Sequence, residues 1–245
     1  MSGLSVASIA LLCTTVVLAQ ADSDDGVLWS ADQETGDLSQ WYAGQQGGEF
    51  DTGTGTASIT TDVAHSGQYA IQMTISDAHG QPQAARLFRW DRSADETERY
   101  YSAWYYFPQR YRPAVWWNIF QFKSEPDGDT QSEPIWSLNV GNRGSGAMYL
   151  YLWDAIDRRS YSQRVVDLPE QQWVHLEARY VPAVDQAGRV TIWQDGVQLW
   201  DITNVQTAFA NNVYWSIANY TDDIQPSTAS IYIDDAVISS TRVES

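Results

Sequence analysis

The sequence has little cysteine and no apolar run long enough to span a membrane. The only cysteine, Cys13, lies within the apolar stretch from Val6 to Ala19. An Ala-x-Ala cleavage pattern, Ala19-Gln20-Ala21, begins where this stretch ends, so residues 1–21 are expected to be a signal peptide. Removing it leaves residues 22–245 without cysteine, which excludes disulfides and thiol chemistry. We expect a secreted protein.

Basic residues are also scarce. The chain has 14 Lys and Arg against 31 Asp and Glu, a formal net charge of −17. Nucleic-acid binding is disfavoured, because neutralising phosphates requires clustered basic residues. The acidity is typical of a soluble extracellular protein, and it would repel a polyanion unless the binding groove were locally basic. We expect a monomer that contacts neither nucleic acid nor membrane.

Long amphipathic helices and internal repeats are absent, and short alternating segments rich in β-branched and aromatic residues dominate after residue 26. Turn clusters separate them, and an Asp-Gly pair joins two of them as a hairpin. The pattern predicts an all-β fold: a two-sheet antiparallel β-sandwich of the jelly-roll type, in one domain spanning residues 22–245. Representative segments are YAIQMTIS, YYSAWYYF, IWSLNV, MYLYLW and VYWSIANY.

Aromatic residues are plentiful: 12 Trp, 14 Tyr and 6 Phe. This exceeds what a core of this size needs, so aromatic side chains are expected on the surface, where sugar rings stack. In residues 148–153 the aliphatic side chains share one side of a predicted strand. Tyr149, Tyr151 and Trp153 share the other side and are candidates for substrate contacts. Burial beneath a loop explains their pattern equally well.

Two further strands place polar groups on one side. In residues 213–223, Tyr214 and Tyr220 alternate with a mainly apolar row. In residues 117–123, Gln121 and Lys123 share a side. Aromatic, amide and basic groups together are typical of a glycan-binding groove, although a solvated strand edge has a similar pattern.

Three short motifs carry a family resemblance. Residues 214–222 resemble the Tyr-Phe-Lys-Ala-Gly-x-Tyr-x-Gln strand of alginate lyases, with both tyrosines kept and the lysine and glutamine replaced by serine and aspartate. Residues 121–123, Gln-Phe-Lys, resemble the Gln-x-His strand, with lysine at the histidine position. Residues 86–88 loosely resemble the Arg-x-Glu strand. Over roughly residues 30–240 the chain resembles the concanavalin-like jelly-roll polysaccharide lyases of the alginate-lyase, glucuronan-lyase and heparin-lyase-I type; laminin-G-like sandwiches share the scaffold.

The resemblance implies β-elimination on a uronic-acid polysaccharide. This reaction needs a donor for the carboxylate, a base for the α proton and an acid for the leaving oxygen. Tyr220 is then the acid, or both acid and base. Gln121 and Arg86 hold the carboxylate, and Lys123 is either a base or a second clamp. Substrate contacts are expected from Arg86, Tyr214, Asn219, Tyr149, Tyr151 and Trp153.

Other readings remain open. A non-catalytic carbohydrate-binding protein on the same scaffold would tolerate the lost family histidine; His65, His79 and His175 do not replace it convincingly. A glycoside hydrolase needs two carboxylates facing each other across the groove. Glu125 and Glu133 flank a loop and cannot be paired from sequence.

No catalytic cofactor is implied, but a structural calcium ion is a candidate. Glu34 and Asp37 lie near the start of the predicted domain, and Asp234 and Asp235 lie near its end. First and last strands of such sandwiches often pair, which would gather the oxygen ligands that calcium prefers. A solvated acidic patch is the alternative.

Overall fold

The computed structural model describes residues 26–91 and 98–243. The predicted signal peptide, residues 1–21, lies outside the described part. Helix is confined to a short α-helix, Ser39–Tyr42, and a 3₁₀ turn, Ala43–Gln45. Neither of them has the length and apolar character to cross a membrane, and no other helix occurs in the described ranges. The predicted all-β fold is confirmed.

The first sheet has strand order β14-β13-β12-β6-β16-β4-β3, with β1 also paired to β16. All its pairings are antiparallel. Its strands are β1 (Val27–Ala31), β3 (Thr56–Thr60), β4 (Ala70–Ile75), β6 (Arg99–Tyr106), β12 (Trp173–Val181), β13 (Gly188–Gln194), β14 (Val197–Val205) and β16 (Ala229–Ser239).

The second sheet has the order β11-β10-β9-β8-β15-β5-β2, with β7 also paired to β15. It too is antiparallel throughout. Its strands are β2 (Gly47–Glu49), β5 (His79–Asp91), β7 (Arg112–Pro113), β8 (Asn118–Ser124), β9 (Glu133–Asn142), β10 (Met148–Asp154), β11 (Arg159–Ser162) and β15 (Val213–Gln225).

The core fills the space between the two sheets. Tyr101 on β6 packs edge-on against Phe122 on β8, with ring centroids 5.0 Å apart, and lies 5.6 Å from Trp215 on β15. The Tyr105 hydroxyl donates to the Ile119 carbonyl across the interface at 3.0 Å. Phe122 is 2% exposed, and burying such a side chain stabilises the fold by about 2 kcal/mol. The two-sheet sandwich predicted from alternation is therefore present.

In β10, aliphatic and aromatic residues alternate, and this alternation determines which face of the second sheet each side chain occupies. Met148, Leu150 and Leu152 are buried in the core, whereas the residues between them are only partly buried. Because successive side chains on a strand point to opposite faces, the aromatic residues of β10 lie on the outward face of the second sheet.

Candidate active site

A groove runs over the outward face of the second sheet and consists of two neighbouring cavities. The larger, of about 730 Å³, has no charged residue among the described residues of its lining, and we name it the neutral cavity. The smaller, of about 580 Å³, contains two cations and one carboxylate, and we name it the charged cavity. Residues that define the neutral cavity are Trp116, Asn118, Asn139, Tyr151, Trp153 and Tyr220. Residues that define the charged cavity are Arg86, Phe88, Trp90, Lys123, Glu125 and Tyr214.

Strand register builds the floor of the neutral cavity. Tyr220 on β15 faces Asn118 on β8, which faces Asn139 on β9. Asn139 in turn faces Tyr151 on β10, and Tyr151 faces Ser162 on β11. Five adjacent strands therefore contribute one side chain each to a single row, and all five line the cavity.

Tyr220 lies where the two cavities meet. Its ring is met edge-on by Trp116, with centroids 4.7 Å apart and planes at 80°. The Arg86 guanidinium lies 5.1 Å from the centre of the same ring, a cation–π distance. Since Tyr220 lines the neutral cavity and Arg86 lines the charged one, this pair joins them into one groove.

The Arg86 side chain is fixed from below. Its Nε donates to the Phe50 carbonyl at 2.8 Å, and its Nη2 donates to Thr52 Oγ1 at 3.0 Å. Burial lowers the pKa of the guanidinium, an effect opposed by Tyr220 and Asp51 nearby. An arginine remains charged under such conditions. Arg86 therefore presents a fixed positive charge beside the Tyr220 phenol.

Lys123, the only lysine of the chain, lies in the charged cavity. Burial lowers the pKa of its amine, Arg86 lowers it further, and Glu133 opposes the shift. The ladder pairs Lys123 with Tyr214, six residues before Tyr220 along β15. At the strand rise this separates the Cα atoms by about 20 Å. Strand register therefore places the Lys123 backbone at the level of Tyr214, and its predicted role as a base or second clamp stays a prediction.

Gln121 shares the neutral cavity with Tyr220. It pairs with Ser216 in the ladder and with Ser137 on its other side. Its Nε2 donates to Ser137 Oγ at 2.9 Å. Ser216 lies four residues from Tyr220, about 13 Å along the strand. Gln121 thus lines the same cavity as Tyr220, and its predicted role in holding the carboxylate stays a prediction.

Tyr214 lies at the far end of the charged cavity. Its hydroxyl donates to Glu125 Oε2, and its ring lies 6.0 Å from that of Trp90. A phenol bonded to a carboxylate is held in place. Tyr214 is therefore suited to shape the cavity wall, and its predicted substrate contact stays a prediction.

The aromatic row of β10 lines the neutral cavity, as Tyr149, Tyr151 and Trp153 all belong to its wall. Burial, and then the neighbouring Tyr149, raise the pKa of Tyr151 to about 12. Its hydroxyl therefore stays protonated and available to a ligand at neutral pH. The open-face placement of these three residues is observed; their contact with a sugar remains a prediction.

Asn219 was wrongly predicted to contact substrate. Its side chain is fully buried in the core, where Oδ1 accepts from Trp117 Nε1 at 2.9 Å. Its Nδ2 donates to the carbonyls of Met73 and Ala229 at 3.0 and 2.8 Å, both in the first sheet. Asn219 therefore links the two sheets and does not reach the groove.

Several residues of the groove escaped the sequence reasoning, among them Trp116, Asn118 and Asn139. Simple alternation grouped Asn118 with the core residues Phe120 and Phe122. The β8–β9 and β8–β15 ladders both shift register next to Asn118, and such an irregularity turns a side chain to the other face. No local sequence signal marks this shift. The residues around Asn139 are uncharged and match no motif that would have indicated a binding site.

No histidine lines either cavity. His175 on β12 is 5% exposed, and burial, followed by His65 and Arg242, lowers its pKa to about 4. His65 Nδ1 lies 2.6 Å from Asp235 Oδ2, and its ring stacks on Trp104 of the first sheet. His79 opens β5 and is exposed. Among the described residues, the titratable side chains of the groove are therefore tyrosines, Lys123 and Glu125.

The four predicted calcium ligands make separate protein contacts. Glu34 accepts from the Gln68 and Tyr69 amides, and Asp37 accepts from the Ser39 amide. Asp234 accepts from the His65 and Ser66 amides, and Asp235 binds the side chains of the same two residues. Across ranges 26–91 and 98–243, no three His, Cys, Asp or Glu side chains form a group suited to a metal. Calcium binding stays a prediction that this geometry does not strengthen.

Comparison with solved structures finds the same fold in several lyases. An endo-β-1,4-glucuronan lyase from the fungus Trichoderma reesei aligns with a TM-score of 0.67 at 16% identity, covering 88% of this chain and 96% of that one. Alginate lyases from Aplysia kurodai and from a Chlorella virus align with TM-scores of 0.56 and 0.57 at 14% and 10% identity. They cover 86% and 87% of this chain and 98% and 99% of theirs. A comparison with curated proteins found no match.

The family model described as "Polysaccharide lyase" matches residues 33–237. That span runs from the end of β1 into β16 and includes every residue that lines the groove. The resemblance seen in the short motifs is therefore confirmed over most of the chain. With its jelly-roll sandwich, its groove and this match, the chain belongs to the polysaccharide lyase family.

Proposed function

We propose that the protein cleaves a uronic-acid-containing polysaccharide by β-elimination, with Tyr220 as the acid–base residue and Arg86 as the carboxylate clamp. The observation that carries the proposal is the Arg86 guanidinium 5.1 Å from the Tyr220 ring centre, at the junction of the two cavities. Tyr220 can take up and return a proton, and Arg86 supplies a fixed positive charge. The reaction needs both.

The reaction is written with a uronate at this junction. Arg86 binds the carboxylate, which stabilises the negative charge that spreads onto it when the C5 proton leaves. The Tyr220 oxygen takes that proton as a phenolate. The C5 electron pair then forms the C4–C5 double bond, the C4–O4 bond breaks, and Tyr220 returns the proton to O4. One tyrosine thus serves as base and then as acid, and no water is consumed.

The charge around Tyr220 supports this assignment. Arg86 attracts negative charge on the phenol oxygen during proton transfer, and half-buried surroundings strengthen that attraction relative to water. Trp116 packs against the Tyr220 ring and limits its orientation. Lys123 contributes a second positive charge further along the groove and is suited to bind another acidic group of the polysaccharide.

Secretion belongs to the same proposal. A polymer-degrading enzyme meets its substrate outside the cell, and residues 1–21, with the apolar stretch from Val6 to Ala19, have the features of an export signal. The substrate-binding roles of Tyr214, Tyr149, Tyr151 and Trp153 are proposed as stacking and shape contacts along the groove.

The test is product analysis after incubation with glucuronan, alginate, pectate, hyaluronan and heparin. Elimination gives an unsaturated uronate, which absorbs in the ultraviolet and whose fragments sum to the mass of the polymer. A hydrolase gives saturated products that have gained water, and a binding protein gives no products. Unsaturated ends on one or more polymers are expected; retention on a glycan column without cleavage would replace the enzyme by a binding protein.

A further inference from the structure

The two halves of the groove differ in charge, and this difference bears on which polymer fits. The charged cavity holds Arg86 and Lys123, with Glu125 bonded to the Tyr214 hydroxyl. Among the residues that the structure describes, no Asp, Glu, Lys, Arg or His lines the neutral cavity. In a chain of net charge −17, this half offers a carboxylate no compensating cation.

The amide side chains of the neutral cavity turn their nitrogens towards the protein. Asn118 Nδ2 donates to the carbonyls of Phe120 and Leu138 at 3.2 and 3.4 Å. Since both partners are pure acceptors, the orientation of the amide is fixed. Asn118 Oδ1, on a side chain 2% exposed, is left without a partner. The unpaired group is therefore an acceptor.

Two more asparagines in this cavity repeat the arrangement. Asn142 Nδ2 donates to the Tyr111 and Gly146 carbonyls at 3.0 and 3.1 Å, and Asn139 Nδ2 donates to the Ser137 carbonyl at 3.1 Å. Acceptor oxygens pair with the hydroxyl groups of a sugar and repel a carboxylate. The remaining polar lining consists mainly of neutral hydroxyl groups from serine and tyrosine, which suit sugar hydroxyls equally well.

Arg143 and Arg112 do not supply this cavity with a cation, since neither belongs to its lining. Arg143 lies over the Tyr149 ring at 4.7 Å, but its guanidinium is paired with Asp167 and with the carbonyls of Gln163 and Val166. Arg112 is exposed on β7 and does not belong to the cavity lining. The aromatic walls, by contrast, offer apolar surface to the uncharged face of a sugar ring.

Resting on the proposed function, we infer that the neutral cavity binds an uncharged sugar next to the uronate held at Arg86 and Tyr220. The substrate is then a heteropolysaccharide in which glucuronate or a related uronate neighbours a neutral or N-acetylated sugar. A homopolymer of uronates places a carboxylate in this cavity, where the lining offers it no cation, whichever direction the polysaccharide runs.

The experiment compares polymers that differ in this one respect. Glucuronan and alginate carry a carboxylate on every sugar, whereas hyaluronan and unsulfated chondroitin alternate glucuronate with an uncharged N-acetylhexosamine. The kcat/KM for release of unsaturated uronate is expected to be at least about tenfold higher on an alternating polymer than on either homopolymer. Equal or faster cleavage of glucuronan or alginate overturns the inference and leaves the proposed function intact.

A charge insertion tests the same point from the protein side. Ser160 is exposed on the edge strand β11 and lines the neutral cavity. Ser160→Arg is expected to raise the ratio of glucuronan to hyaluronan kcat/KM by about fivefold or more. Thr203→Arg, at an exposed position on β14 in the other sheet, is the matched control and should leave the ratio unchanged. An unchanged ratio in both variants counts against the inference.

If no polymer is cleaved, calorimetry on Tyr220→Phe tests the neutral-cavity inference separately from the proposed lyase reaction. Unsulfated chondroitin and glucuronan oligosaccharides of equal length are titrated into this variant. Tighter binding of the alternating oligosaccharide supports the neutral cavity even if the lyase chemistry fails. Tighter or equal binding of glucuronan contradicts it independently of any turnover.

Discussion

At the scale of single residues, the groove separates roles that the motifs had grouped together. Tyr220 and Arg86 are in contact, whereas Lys123 lies at the level of Tyr214 on the neighbouring strand. Tyrosine can carry a proton and arginine can only bind and stabilise charge, so the proposed function assigns the reacting uronate to their contact. Lys123 extends the positive charge along the groove, where it is suited to hold an acidic sugar further along the chain.

Lys123 offers a direct check at this scale. As the chain has no other lysine, reductive ¹³C-methylation labels only this side chain and the amino terminus. Burial and Arg86 lower its pKa below the ordinary value of 10.5, so the NMR titration midpoint of this label is expected below that value. In Arg86→Gln the midpoint should rise, because a like charge is removed.

The charge of Lys123 also has a kinetic consequence. If the Lys123 amine binds substrate as a cation, KM for a uronate polymer rises as the pH is increased through the pKa of Lys123, while kcat changes little. A midpoint at or above 10.5 contradicts the burial described for Lys123, and no response to Arg86→Gln contradicts the electrostatic effect of Arg86 on its pKa.

At the scale of strands, β15 connects the core to the groove. Its inward residues include Trp215, Ile217 and Asn219, and its outward face includes Tyr214 and Tyr220. Asn219 fixes the strand to the first sheet through two carbonyls and to Trp117 through the indole. The position of the Tyr220 hydroxyl therefore depends on a core polar network as well as on the sheet.

Replacing Asn219 tests that dependence. Asn219→Ala removes the hydrogen bonds to two buried carbonyls and the acceptor of one buried indole N–H, and is expected to lower the free energy of unfolding by about 3 kcal/mol. Urea denaturation measures the change. Ser160→Ala, on the exposed edge strand, is the control and should stay within about 0.5 kcal/mol of the parent. A stable Asn219→Ala protein with a raised KM would instead restore the predicted substrate contact.

The fold could be predicted well from the sequence because side chains along a strand alternate between its two faces, with a period of two residues. Alternation put Met148 and Leu150 inside and Tyr149 and Tyr151 outside, and the structure agrees. The same alternation places Asn219 beside Trp215 and Ile217 on the inner face; the family motif, which favoured a substrate contact, was the poorer guide. Asn118 could not be found in this way, because the register shift beside it is set by pairing with two other strands.

At the scale of the whole molecule, the acidic chain surrounds a groove with local positive charge. Two cations in the charged cavity act at short range, whereas a net charge of −17 repels a polyanion at long range. Long-range repulsion weakens with salt, since the screening length falls from about 30 Å at 0.01 M to about 8 Å at 0.15 M.

We therefore expect kcat/KM on a uronate polymer to rise as salt increases over this range. The rise should be smaller on an alternating polymer, which has half the charge density of a homopolymer. Initial rates at subsaturating substrate in a sodium chloride series measure it. A steady decrease would mean that the positive charge of the groove, and not the net charge, controls the encounter.

The central claim, that Tyr220 carries the proton in a β-elimination, is tested most directly by paired tyrosine variants. Tyr220→Phe removes only the hydroxyl, while Tyr151→Phe removes a hydroxyl from the same cavity and the same row. On a polymer that the parent cleaves, Tyr220→Phe is expected to lose about 10³-fold or more in kcat while still binding oligosaccharide. Tyr151→Phe should keep kcat within about tenfold. Substantial release of unsaturated uronate by Tyr220→Phe would contradict the account.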